Sequence, residues 1–262
     1  MTQTTPSLLP GVSVVVSRDT ESAYTLAAEM IVKLAQQAVE TQGKFTLALS
    51  GGSTPKKLYE LLASPEWQPK FPWAKTEFFW SDERYVASSD PASNFHMTQA
   101  AMLSRVNLPA ERVHRVPTEK PAEQAAELYE KEIRETVPAG PNGLPQFDLV
   151  LLGLGTNGHT ASLFPYQPAL HEKKWLVIAE HIEEVKMMRL TFSAPLINAA
   201  KQIVFLALGS DKAPVVRDVV VGVFDPERLP AQLVRPSQGK LTWILDPAAA
   251  EKLPASIVSH QS

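Results

Sequence analysis

A single histidine, His159, lies at the end of the glycine-rich segment Gly153-Leu154-Gly155-Thr156-Asn157-Gly158, directly after the apolar run of residues 147–152. Imidazole titrates near neutrality, so a histidine that a strand end delivers into a loop can take a proton from water. It could equally serve only the hydrogen bonding of its own loop. A second segment, Ser50-Gly51-Gly52-Ser53-Thr54-Pro55, leaves an apolar run and enters a helical pattern carried by Leu58, Leu61 and Leu62. Its glycines allow a tight turn in which successive N–H groups converge on an anion, and the helix end adds partial positive charge. The other reading is an ordinary strand-to-helix turn with Thr54 as N-cap. The pattern is neither the Walker motif nor the dinucleotide fingerprint.

Further charged residues fall at similar places. Asp82, Glu83 and Arg84 follow the run of residues 77–80, where carboxylates can hold sugar hydroxyls and a guanidinium can bind phosphate in two-pronged fashion. A solvated loop cluster, with Ser93 or Asn94 capping the next helix, accounts for the same pattern. Arg189 lies just ahead of the run of residues 202–208, and Lys212 follows Gly209 at the end of that run, placed to act as a point charge on an anion.

The elements that must position these residues are short apolar runs alternating with helical patterns. The runs cover residues 12–17, 45–50, 77–80, 147–153, 175–179, 202–208 and 241–245. Continuous apolar runs suit strands covered on both faces, as in a parallel sheet. Between the first two, Ala23, Ala27, Met30, Ile31, Leu34, Ala35 and Ala38 recur at helical spacing after a cap at Asp19 or Thr20. Another helix is expected from Pro121, at its first position, through Ala125, Ala126, Tyr129 and Ile133. The expectation is a doubly wound, mostly parallel α/β sheet with helices on both faces, Rossmann-like, forming one domain over residues 1–262. In such sheets ligands bind beyond the carboxyl ends of the strands, where all four charged or glycine-rich segments fall.

Composition narrows the classes. Hydrophobic residues make up 44% and charged residues 20%, which is the profile of a chain that folds unaided. A net charge of −3 with scattered Lys and Arg argues against nucleic acid as a partner. The absence of cysteine excludes disulfides, thiolate nucleophiles and cysteine-ligated metals. The start of the chain does not read as a secretory signal, and no apolar run approaches the roughly 20 residues needed to cross a bilayer, so a cytoplasmic protein without membrane association is expected.

Taken in order, the segments Ser50 to Pro55, Asp82 to Arg84, Gly158-His159-Thr160-Ala161-Ser162-Leu163-Phe164-Pro165 and Lys212-Ala213 resemble the 6-phosphogluconolactonase family, whose wider relatives include glucosamine-6-phosphate deaminases. The resemblance implies hydrolysis of 6-phospho-D-glucono-1,5-lactone to 6-phosphogluconate in the oxidative pentose phosphate pathway, with no metal or organic cofactor, by a monomer or small homo-oligomer. It implies His159 as general base with Asn157 beside it. It also implies a substrate and phosphate shell of Ser50, Gly51, Gly52, Ser53, Thr54, Asp82, Glu83, Arg84, Arg189 and Lys212. Two positions depart from the family pattern: Asn157 stands where aspartate is usual, and Ala87 where proline is usual. Asn157 can accept a hydrogen bond but supplies no negative charge. The deaminase chemistry ranks below the lactonase, because the family's deaminases carry a glutamate shortly after the histidine and residues 160–165 hold no acid. A non-catalytic sugar-phosphate sensor ranks lower still, because strand and helix patterns begin near Val12 and leave no room for a DNA-binding module.

Overall fold

Along the buried strands, successive side chains enter two different cores. Leu149 and Leu151 pack with Phe78 and Trp80, whereas Val150 and Leu152 pack with Phe79 on the other face. Strands apolar on both faces must be covered on both, which demands a layer of helices on each side. The computed structural model describes residues 8–260 and has this arrangement. In chain order its elements are β1 (Val12–Val16), α1 (Thr20–Gln42), β2 (Phe45–Leu49), α2 (Ser53–Leu62), β3 (Thr76–Trp80), β4 (Asp82–Arg84), α3 (Asn94–Ala101), α4 (Ala122–Thr136), β5 (Leu149–Leu152), β6 (Val177–Ile182), β7 (Met187–Phe192), α5 (Ala194–Asn198), β8 (Gln202–Ala207), α6 (Ala213–Val221), β9 (Lys240–Leu245), α7 (Pro247–Ala250) and β10 (Ser259–His260).

Among the described residues, seven strands form one sheet in the order β10-β1-β9-β8-β5-β2-β3, and every pairing in it is parallel. Helices α1 and α2 cover one face, and α4, α5 and α6 cover the other. The mostly parallel, doubly wound fold expected from the apolar runs is thus present. Chain order reverses between β2 and β5, which are neighbours in the sheet although α2, β3, β4, α3 and α4 come between them in sequence. The segments leaving β2 and β5 go to opposite faces, and they open a crevice at the carboxyl edge.

Local chemistry sets the ends of the helices. The Asp19 carboxylate accepts from the Ser22 amide at 2.7 Å and caps α1, and Gly43, left-handed at φ 79°, closes it by donating to the Val39 carbonyl. Pro121 stands just before the first helical residue of α4 rather than inside the helix.

Residues 175–179 depart more from expectation. Their strand, β6, belongs to a separate three-stranded antiparallel sheet in the order β4-β7-β6. The interior apolar positions of β6 pack on α4, so the run reads as buried although it lies outside the main sheet. Ser81 joins the two sheets, because its amide donates to Leu49 of β2 while its carbonyl accepts from Phe192 of β7. That junction carries Asp82 and Arg84 from the edge of the large sheet into the small one.

Outside this junction, β3 is tied to its surroundings by a charged cluster. The His114 ring stacks on Phe79 with centroids 4.4 Å apart and meets Glu77 at 2.9 Å and Glu132 at 2.7 Å, while Arg112 also pairs with Glu77. Burial disfavours the imidazolium, but the Glu132 and Glu77 carboxylates more than offset it and raise the His114 pKa to about 9. A histidine raised above its unfolded value of about 6.5 contributes stability fully below that value and loses it as pH rises through the folded value. Denaturant midpoints should therefore fall between about pH 6.5 and about pH 9 in the wild type, and this component of the fall should be absent in His114→Gln.

Candidate active site

A cleft of about 360 Å³ opens at the carboxyl edge, lined by Ser50 to Pro55 after β2, Asp82 and Arg84 of β4, Gly153 to Asn157 and His159 after β5, Arg189 of β7 and Lys212 after β8. Of these five segments, the ones after β2, β5 and β8 meet because parallel strands release their carboxyl ends at one edge, and those on β4 and β7 are brought there by the small antiparallel sheet. The volume suits a small-molecule ligand.

The Ser50 to Thr54 turn is held from behind. Tyr59, fully buried on α2, accepts from the Ser50 amide at 3.0 Å and donates to the Ser50 carbonyl at 2.8 Å. Gly52 precedes α2 at φ 109°, a conformation suited to glycine, and no side chain caps the helix. The first residues of α2 line the cleft with their amides uncapped by any side chain, and Thr54 lies inside the helix rather than capping it. Gly51 is needed for a different reason, since a Cβ there would come within 1.9 Å of the Asn94 side chain.

The cations and acids divide into two groups. Arg84 and Arg189 are paired residues across β4 and β7, and the Nε of each is buried without a hydrogen-bond partner. Burial and the Arg84 charge both weaken proton binding at Arg189, with Asp82 opposing them. Two adjacent guanidiniums with unused donors form a receptor for an anion. Ser50 Oγ and Asn94 Oδ1 are likewise buried without partners at the cleft wall. Asp82 accepts from Ser162 Oγ at 2.7 Å and contributes negative charge to the cleft. Lys212 lines the far side and pairs with the exposed Asp211 at 3.2 Å.

Glu83 turns away from the cleft. Its carboxylate accepts from the Arg84, Asn94 and Phe95 amides and from Ser93 Oγ, all within 3.0 Å, and so fixes the start of α3. Ser93 itself accepts from the His96 amide and caps that helix. Of the sequence candidates, Glu83 alone is placed by the fold as a support rather than as part of the lining.

His159 stands half-buried with its ring stacked on Phe164, centroids 4.1 Å apart. Asn157 Oδ1 lies 2.6 Å from the ring Nδ1 and also accepts from the His159 backbone amide at 3.1 Å, while Asn157 Nδ2 donates to both Glu184 oxygens at 2.9 and 3.1 Å. The polarity follows without ambiguity. A backbone N–H can only donate and a carboxylate can only accept, so the amide oxygen faces the histidine. Nδ1 must then carry the proton, and Nε2 keeps its lone pair. Burial lowers the His159 pKa to about 4; Asp82 opposes the shift, and Arg189, Lys212 and Arg84 add to it. The ring is neutral at physiological pH.

Two participants had weak sequence signals. Phe164 was within the histidine segment, but nothing marked it as the stacking partner. Glu184 lies 25 residues beyond His159 at the tip of the β6–β7 hairpin, and only the antiparallel pairing brings it over the loop. Among the described residues no group of three or more His, Asp or Glu is arranged to hold a metal ion. Among the described residues, no helix is long and apolar enough to cross a membrane.

The sequence and the fold are those of a known group of proteins. The model of the glucosamine-6-phosphate isomerases/6-phosphogluconolactonase family matches residues 18–243. The chain belongs to that family. Within it, a 6-phosphogluconolactonase of a Nostoc species is 41% identical over 227 residues, covering 86% of this chain and 91% of that protein. A 6-phosphogluconolactonase of a Synechocystis species is 42% identical over 218 residues, covering 83% and 88%. Among solved structures, the 6-phosphogluconolactonase of Leishmania guyanensis superposes with a TM-score of 0.83 at 32% identity, covering 93% of this chain and 99% of that one.

The loop that seats the histidine is tightly constrained. A Cβ on Gly155 would lie 2.1 Å from His159 Nδ1, so Gly155→Ala must push the ring out of its seat. By NMR titration, wild-type His159 should titrate near pH 4, and Gly155→Ala should move it toward the solvent value of about 6.5.

Proposed function

We propose that this chain hydrolyses 6-phospho-D-glucono-1,5-lactone to 6-phosphogluconate, with His159 as general base. One observation carries the reading: an imidazole whose Nε2 is free to accept a proton shares a single cleft with a glycine-rich turn and three cations. The names of the Nostoc, Synechocystis and Leishmania relatives support the substrate. The Ser50 to Thr54 amides, with Lys212 and the two arginines, form the shell for the phosphate and the polar substrate groups. Asn157 orients the base.

In this mechanism Nε2 removes a proton from water as the water oxygen attacks the lactone carbonyl carbon. The carbonyl electrons move onto its oxygen, and the oxyanion is held by neighbouring cationic or amide donors, each worth about 3 kcal/mol. As the carbonyl re-forms, the ring C–O bond breaks and the departing oxygen takes the proton back from the imidazolium. Asp82 favours that imidazolium while it exists. No covalent intermediate is needed, and base assistance is worth about 10² to 10⁴-fold. We further propose a cytoplasmic enzyme, monomeric or a small homo-oligomer, acting as one domain over residues 1–262.

A stopped assay on freshly generated 6-phosphogluconolactone, with glucosamine 6-phosphate in parallel, tests the choice between lactonase and deaminase. Turnover of the first alone is expected, and ammonia release from the second would overturn the reading. His159→Ala should lower kcat by about 10² to 10⁴-fold with little change in KM. Lys212→Ala should instead raise KM by about tenfold, the scale of one charged hydrogen bond, while its effect on the unphosphorylated lactone stays small.

A further inference from the structure

We infer that Glu184 is a positioning residue for proton transfer: it locks the Asn157 amide in the one orientation that leaves His159 Nε2 free. The inference rests on the proposal that His159 is the base. It starts from the carboxamide at residue 157. A carboxylate beside a histidine can only accept, so it holds the Nδ1-protonated tautomer in either rotamer. A carboxamide has two faces. Were Asn157 flipped, Nδ2 would donate to the ring Nδ1, the ring proton would move to Nε2, and the base would be lost.

Two contacts oppose the flip. The His159 backbone amide requires oxygen on its side at 3.1 Å, and Glu184 requires nitrogen on the other at 2.9 and 3.1 Å. The turn at Glu183–Val185, followed by Lys186 at φ 48°, brings this side chain to the loop. Glu184 lines the cleft yet is exposed, with no other hydrogen-bond partner, and its removal leaves no cavity in the core. The charged groups acting on the ring from the other elements are Asp82 and Arg84 of β4, Arg189 of β7 and Lys212 after β8. None of these hydrogen-bonds to Asn157, so among the described residues Glu184 alone accepts from the outer face of its amide.

The test is a cycle of Glu184→Ala and Glu184→Gln in the wild-type and Asn157→Asp backgrounds, measured on 6-phosphogluconolactone with the ring tautomer followed by ¹⁵N NMR. In the wild-type background Glu184→Ala should lower kcat about tenfold with KM within twofold, and ¹⁵N shifts should reveal the Nε2-protonated tautomer. Glu184→Gln, which retains an acceptor, should recover most of the loss. In Asn157→Asp the orientation no longer needs a lock and two carboxylates face each other, so Glu184→Ala should raise kcat. Wild-type kcat and tautomer in Glu184→Ala, or the same loss in both backgrounds, would overturn the inference. Failure of the parent proposal is separate, since it would show as an active His159→Ala enzyme.

Discussion

Every strand of the large sheet runs the same way, and the rest of the molecule depends on that constraint. Parallel strands cannot be joined by tight hairpins, so each connection must cross a face of the sheet and return. The returns carry α1 and α2 on one side and α4, α5 and α6 on the other, burying both faces. The turns at the carboxyl edge remain free of packing duty. Ser50 to Thr54, Gly153 to His159 and Gly209 to Lys212 are all such turns. At the β2–β5 boundary they diverge to opposite faces, and the gap between them is the cleft.

The small antiparallel sheet completes what the large one cannot. A purely parallel sheet offers only loops at its edge, and loops hold charges imprecisely. Pairing β4 with β7 sets Arg84 opposite Arg189 on paired backbones, so two like charges are held together by strand hydrogen bonds. The hairpin formed by β6 and β7 then extends to the mouth of the cleft and supplies Glu184. One addition therefore brings both the paired guanidiniums and the outer support of Asn157.

The electrostatics of the cleft combine opposing demands. Three cations make the cleft locally positive, and together with burial they keep the imidazole unprotonated. Asp82 opposes them from within hydrogen-bond reach of Ser162, and it favours the imidazolium only as far as a proton actually arrives. A ring that is neutral at rest, with Asp82 offsetting only part of the cost of charging it, readily gives back a proton it has taken.

Much of this was legible in the residues. Apolar runs of four to seven residues, too short for buried helices and separated by helical periods, determine buried strands, and all but one of them lie in the parallel sheet. Glycines after those runs determine tight turns at the strand ends, because no other residue accepts φ near 100° at Gly52 or the ring contact at Gly155. Those are local properties, and they pointed to His159 and to the Ser50 to Thr54 turn. Three outcomes depended on packing between distant segments. Residues 175–179 entered a second sheet because strand partners are chosen by long-range pairing, which apolar content does not encode. Glu83 turned inward because the α3 amides lay within reach, so its neighbours Asp82 and Arg84 kept the cleft. Glu184 met Asn157 only because a hairpin folded across the loop, and the polarity of the amide between them is decided by contacts that exist in three dimensions alone.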